Sequence, residues 1–166
     1  MKKILCSFLV LVAVLFFVFM PNTAEAATIN HGDKNIQIER FEDGSILEII
    51  TEQNQAKNTL LTLFRKNMSH ATGSKTLNYR NSNGVLAWTL QVTASFVNNN
   101  GSITCSNITT QQNIYDSAWT LSNIRKGSSG NTAWASVTAT KRLAGGIVQQ
   151  ATEKVTLTCS SNGKIY

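Results

Sequence analysis

From Lys75 onward, apolar and polar residues alternate with a period of two. Leu77 and Tyr79 share one parity up to an Asn81-Ser82-Asn83-Gly84 turn. Leu86, Trp88, Leu90, Val92, Ala94 and Phe96 then form one continuous apolar face, with Thr89, Gln91, Thr93 and Ser95 opposite. Successive side chains of an extended chain point to opposite faces, so this stretch predicts a half-buried strand. Asn98-Asn99-Asn100-Gly101 ends it, and Ile103 and Cys105 open the next strand on a shared face. Trp119 and Leu121 begin another, which stops at Gly127-Ser128-Ser129-Gly130. Residues 132–140 carry Ala133, Ala135, Val137 and Ala139 on one face and Trp134 on the other. After Ala144-Gly145-Gly146, a last strand sets Ile147, Ala151, Val155, Leu157 and Cys159 on one side.

Upstream, Ile36, Ile38 and Phe41 lead into Glu42-Asp43-Gly44-Ser45, followed by Ile46-Leu47-Glu48-Ile49-Ile50. Asp-Gly between two apolar runs predicts a hairpin, because glycine accepts the positive φ of a tight turn. Over 56–68, Leu60, Leu61, Phe64 and Met68 recur at helical spacing, whereas Thr59 and Thr62 suit a strand equally well. The pattern as a whole predicts an all-β fold: an antiparallel β-sandwich, immunoglobulin-like or similar, with an N-terminal hairpin segment and at most one short helix.

The first residues follow a different rule. Lys2 and Lys3 precede an uncharged, almost wholly apolar run over 4–20, then Pro21 and Ala24-Glu25-Ala26. A basic start, an apolar middle and a small-x-small end predict a signal peptide over 1–26, cleaved after Ala26. The expected location is therefore secreted, with association to the cell wall an option. No second apolar run follows, so no membrane span is expected after cleavage. Cleavage leaves Cys105 and Cys159, and two cysteines in an exported chain predict one disulfide.

Charge then divides the remainder. The chain has 15 Lys+Arg against 9 Asp+Glu, a net charge of +6. Asp33, Glu39, Glu42, Asp43, Glu48 and Glu52 crowd the early part, whereas after residue 58 only Asp116 and Glu153 oppose ten bases. The expected division is an acidic hairpin segment over 27–58 and a basic β-sandwich over 59–166, with no Pro-rich or Gly-rich linker between them.

From Ser74 to Gly163 the chain resembles a set of small secreted β-rich proteins of Gram-positive bacteria for which no function is established. The resembling residues are Trp88 with Phe96, Cys105, Tyr115-Asp116-Ser117-x-Trp119 and the closing Thr158-Cys159-Ser160-Ser161-Asn162-Gly163, with the upstream Asp43-Gly44-Ser45 turn. The resemblance implies secretion, a β-rich fold and a paired cysteine. It carries over no catalytic residue.

Little in the sequence promises catalysis. His31 and His70 lack a framing nucleophile motif, and a general base needs a partner within hydrogen-bond reach. The early acids could supply a carboxylate pair for glycoside hydrolysis, but their alternation is that of a solvated strand face. Metal-ligand spacing is absent, and no cofactor is expected. Tyr115, Asp116 and Trp119 form a local cluster that could hold a sugar between rings and a carboxylate; a core tryptophan beside an Asp-capped turn explains them as well. Trp134 faces away from the Ala/Val side of its strand and is a further ligand candidate. Arg125, Lys126, Lys141 and Arg142 sit at strand ends and are candidates for an anionic wall polymer or polysaccharide; nucleic acid is not expected of an exported chain. These observations favour a non-enzymatic β-sandwich associating weakly with the envelope or extracellular matrix, over an exported toxin-like or inhibitor protein, and over a small hydrolase.

Overall fold

The computed structural model describes residues 24–31, 34–54 and 68–166. Among these are nine strands and no helix: β1 (Ala24–His31), β2 (Lys34–Arg40), β3 (Ile46–Asn54), β4 (Met68–Arg80), β5 (Leu86–Asn99), β6 (Ser102–Ile114), β7 (Trp119–Ser129), β8 (Thr132–Leu143) and β9 (Gly146–Thr158). Most of the leader, residues 1–23, lies outside the described residues, and so does the helix-or-strand segment over 56–68 apart from Met68, which opens β4.

β1 to β6 form one six-stranded antiparallel sheet in chain order, and β7, β8 and β9 form a second, three-stranded antiparallel sheet. The Asp43-Gly44 turn joins β2 to β3 as its sequence predicts. The acidic strands are not set apart: β3 pairs with β4 from Ile46↔Arg80 to Asn54↔Thr72, so they continue the sheet begun by the basic part.

The small sheet lies against β4, β5 and β6. The apolar face of β5 supplies Trp88, Leu90, Val92, Ala94 and Phe96 to the interior, each almost fully buried. Opposite, β8 presents Ala133, Ala135, Val137 and Ala139, β9 adds Val155 and Leu157, and Cys159 follows just beyond β9. Large side chains on one sheet meet small ones on the other, which lets the layers close to near-crystalline packing. At one end the interior turns aromatic. Tyr79 and Trp88, cross-strand partners, stack with centroids 5.5 Å apart and planes 5° from parallel, and Trp119 meets Tyr79 edge-on at 4.9 Å. The indole N–H groups of Trp88 and Trp119 are buried without an acceptor.

Strands β1 to β3 extend beyond the small sheet, and their polarity follows from that. The register places Asn35, Gln37 and Glu39 of β2 on the same side as the core residues Leu47 and Ile49 of β3. Gln37 is exposed and keeps its hydration, whereas Glu39 lies near the inward-pointing Glu153 of β9. The isoleucines of β2, Ile36 and Ile38, lie instead on the outer side with Ile46 and Ile50. The tail beyond β9 ties down β3: Gln53 Nε2 donates to Gly163 O at 2.7 Å, and Ile165 N donates to Gln53 Oε1 at 3.2 Å.

Glu153 points inward from β9, beside Val137 across the ladder. Burial pushes its carboxyl above the usual range, and the nearby Glu39 carboxylate pushes it further. Folded Glu153 thus holds its proton to higher pH than the unfolded chain does. Stability falls as pH rises from the unfolded carboxyl value to the raised folded one, and the full penalty stands above both. Glu153→Gln is therefore expected to raise the melting temperature at pH 7 and to leave it unchanged at about pH 3, where both states are protonated. Thermal melts of the two chains at both pH values check this.

Candidate ligand-binding face

The outward side of the small sheet is built from alternate residues of three strands. Ladder pairing sets Gly127, Trp134 and Thr156 in one row and Arg125, Ser136 and Lys154 in the next. The neighbouring outward positions are Thr120, Ser122 and Ser129 of β7, Thr132, Thr138 and Thr140 of β8, and Gln150, Thr152 and Thr158 of β9. The face therefore carries hydroxyls, one amide, two cations and one indole, and no carboxylate. Its hydroxyls bond across the ladder: Thr138 Oγ1 and Thr152 Oγ1 are 3.2 Å apart, and Gln150 Nε2 donates to Thr140 Oγ1 at 3.3 Å.

Trp134 is held flat by its neighbours. A Cβ added at Gly127 would stand 2.7 Å from Trp134 Cζ2 and 2.9 Å from Cε2, so the ring lies on the bare glycine backbone. Lys154 Nζ sits 5.0 Å from the ring centroid, within cation–π reach. The indole is thus fixed in orientation and half-buried.

A bulge assembles this face. β7 pairs Ser122 with Thr138 but Arg125 with Ser136, which gives β7 one residue more than β8. Asn123 takes up the irregularity at φ 51°, a left-handed conformation that asparagine tolerates. The extra residue turns Ile124 toward the core and Arg125 out beside Trp134.

Next to this face, where β6 and β7 part, lies a cleft of about 320 Å³ lined by Cys105, Ser106, Asn107, Ile108, Lys126, Gly127 and Ser128. Lys126 spans it, its Nζ donating to Ile108 O at 3.1 Å. Gly127 is common to the cleft and to the tryptophan platform.

The other candidate residues are dispersed. Trp119 is 4% exposed and belongs to the aromatic core, whereas Tyr115 is 60% exposed. Asp116 caps the turn between them, its Oδ1 accepting from Ala118 N at 2.9 Å. The three do not form an open sugar site, because the strand that begins at Trp119 points that ring inward. The four bases do not share a face either. Arg125 lies beside Trp134, Lys126 turns into the seam, Lys141 Nζ stands 6.0 Å from the Trp119 ring, and Arg142 is exposed near the β8–β9 turn.

The expected disulfide is not formed; both cysteines are free thiols. Each amide is bonded to the β7–β8 turn, Cys105 N to Gly130 O and Cys159 N to Asn131 O, both at 2.9 Å. Each sulfur is directed at a carbonyl close in its own chain, Cys105 Sγ to Asn107 O at 3.4 Å and Cys159 Sγ to Ser160 O at 3.6 Å. Burial raises the Cys159 thiol above its usual range.

Most of the early acids are engaged singly, while Glu39 lies near the carboxyl of Glu153. Lys34 engages Glu52 at 3.1 Å, Asn78 Nδ2 donates to Glu48 at 3.0 Å, and Asp43 accepts from Ser45 N at 2.9 Å. His70 is exposed within β4, and the His31 side chain lies outside the described residues. No group of three or more metal-ligating side chains occurs among the described residues.

Sequence reasoning missed Lys154 and the role of Gly127. Only the parity of residues 150–158 hinted at the first, and Gly127 read as turn material. The chain matches no family model, no curated protein and no solved structure.

Proposed function

We propose that this chain is an exported, non-enzymatic β-sandwich that holds an anionic glycopolymer of the cell envelope on the outer face of its small sheet. The observation that carries the reading is Trp134, fixed flat on Gly127 with Arg125 and Lys154 in the adjacent row, on a face without carboxylates. A planar indole offers a surface on which the C–H face of a sugar stacks. Guanidinium and ammonium groups beside it suit the phosphates or carboxylates of such a polymer, and surrounding hydroxyls exchange hydrogen bonds with sugar hydroxyls. The site is open to water, so each contact is weak and affinity depends on repetition along the polymer.

Export is supported by the leader pattern of Lys2, Lys3 and the apolar run. The regular ladder between β1 and β2 runs from Ala27↔Ile38 to His31↔Lys34, and the irregularity falls between Ala24 and Ala27. Cleavage after Ala26 leaves every regular pair in place.

The test is co-sedimentation with isolated Gram-positive walls, with and without teichoic acid, at low and high salt. Wild-type chain is expected to bind walls that carry teichoic acid. Trp134→Ala should weaken binding about tenfold, the loss of roughly 1.4 kcal/mol. The pair Arg125→Ser and Lys154→Ser should remove most of the salt dependence. Equal sedimentation of Trp134→Ala and wild type would remove the basis of this reading.

A further inference from the structure

Among the described residues, most of the large apolar side chains that are exposed gather at one end; Tyr166, 54% exposed, lies at the other beside Thr158. Val85, Ile114, Tyr115, Leu143, Ile147 and Val148 are all at least 46% exposed, and all lie where β4 turns into β5, β6 hands over to β7 and β8 turns into β9. Hydrogen bonds hold these segments side by side: Tyr115 N and Asp116 N donate to Ala87 O, and Arg142 N donates to Ala118 O at 2.8 Å.

The β8–β9 hairpin contributes three of these side chains. Residues 142–148 are exposed without interruption, so the tip rises clear of both sheets. Ala144 at φ 49° and Gly145 at φ 82° form the tight two-residue turn that suits a twisted hairpin, which fixes the tip. A second bulge adds to it: Lys141 pairs with Gln149 but Arg142 with Ile147, so Val148 is the extra residue. Leu143, Ile147 and Val148 are 53%, 53% and 56% exposed; next along the strand, Arg142 is exposed and Lys141, half-buried, holds its Nζ 6.0 Å from the Trp119 ring.

No acid occurs between 141 and 150. Acids stand on the neighbouring turns rather than on the tip: Asp116 accepts from Ala118 N, Asp43 from Ser45 N with the exposed Glu42 beside it, and Glu48 is paired with Arg80. An apolar point backed by two cations, beside an exposed tyrosine, matches the layering of a bilayer surface, with acyl boundary outside and anionic headgroups just behind it. An apolar protein groove would match the three aliphatic side chains but would give the paired cations no role.

We propose that the β8–β9 tip docks on the surface of an anionic lipid bilayer, with Leu143, Ile147 and Val148 entering the headgroup–acyl boundary and Arg142 and Lys141 meeting the headgroups. This contact uses the end of the sandwich, not the Trp134 face, and stands or falls apart from the polymer reading.

Site-resolved hydrogen exchange tests it on the full-length chain, with vesicles of phosphatidylcholine alone or mixed with phosphatidylglycerol. Because the readout is local, the affinity of the apolar leader for lipid does not enter it. Amides over 142–148 are expected to gain protection with the mixed vesicles and not with phosphatidylcholine alone. Leu143→Ser combined with Ile147→Ser and Val148→Ser should abolish that protection while leaving the thermal melt unchanged, since these side chains are exposed. Arg142→Glu should raise the vesicle concentration that half-protects 142–148 roughly 25-fold, from about fivefold for each of two units of charge at the surface. Absence of protection with mixed vesicles overturns the proposal. So does protection that appears without vesicles as concentration rises and the particle mass doubles, because a second copy then covers the tip.

Discussion

Trp88→Ala is expected to lower the free energy of unfolding by about 3–5 kcal/mol, the range for removing a large aromatic side chain from a packed core. Trp88 is 1% exposed, stacks on Tyr79 at 5.5 Å and meets Trp119 at 6.3 Å, so its loss opens the aromatic end of the sandwich. A domain of this size is stable by roughly 5–15 kcal/mol, so the substitution takes a large share of the whole. Urea denaturation of wild type and variant measures it. Trp88→Phe supplies the sharper comparison. The buried indole N–H has no acceptor, and a buried unsatisfied donor costs about 1–3 kcal/mol. Phenylalanine keeps a ring and removes that donor, so its net loss should stay within about 1.5 kcal/mol. Equal damage from both substitutions would show that the N–H is satisfied in solution and that its hydrogen bond, not ring volume, sets the effect.

Ala135→Leu is expected to destabilise the fold by about 1–3 kcal/mol although it adds apolar surface. Ala135 is fully buried on the inner face of β8, flanked by Ala133 and Val137, and the facing sheet presents Trp88, Leu90, Val92 and Phe96. Three extra carbons there have no void to enter. They must push β8 away from β5 or force neighbouring side chains off their rotamers. Ser136→Leu, one residue along and on the outer face, should change stability by no more than about 0.5 kcal/mol. The contrast reports which face of β8 is inside. If Ala135→Leu proves neutral, the two sheets are further apart there than the alanine layer implies.

The β-sandwich was legible because its strongest strands bury one face and wet the other. The even-numbered face of β5 and the odd-numbered alanine face of β8 are both buried as their alternation predicts. Trp119 reads correctly as core once it is seen to open an apolar strand face, and the Asp116 cap follows from the ordinary turn chemistry of aspartate. The outer strands were less transparent. β2 carries isoleucines on the side away from the core, and only the narrowness of the second sheet explains why polar residues suffice on the other.

Bulges account for most of what pattern alone misplaced. Ile147 shares the odd parity of Val155 and Leu157, yet the bulge at Val148 moves it to the other face, and the whole tip over 142–148 is exposed whichever way a side chain points. The bulge at Asn123 and Ile124 does the same on β7. It moves Arg125 onto the Trp134 face and Lys126 into the seam, and so parts two bases that are adjacent in sequence. One inserted residue costs little locally and inverts every side chain beyond it, so strict parity fails there.

The amino-acid sequence by itself determined the strand character, the main turns, the inner faces of β5 and β8 and the basic balance, because each depends on neighbours two or three residues apart. Tertiary structure alone decided that β1 to β6 form one sheet and β7 to β9 another. It also set Gly127 under Trp134, brought Lys154 to that ring, separated the four candidate bases and gathered most of the exposed apolar side chains at one end. Those outcomes depend on register and on sheet-to-sheet contact between residues far apart in the chain, and no local alternation encodes either.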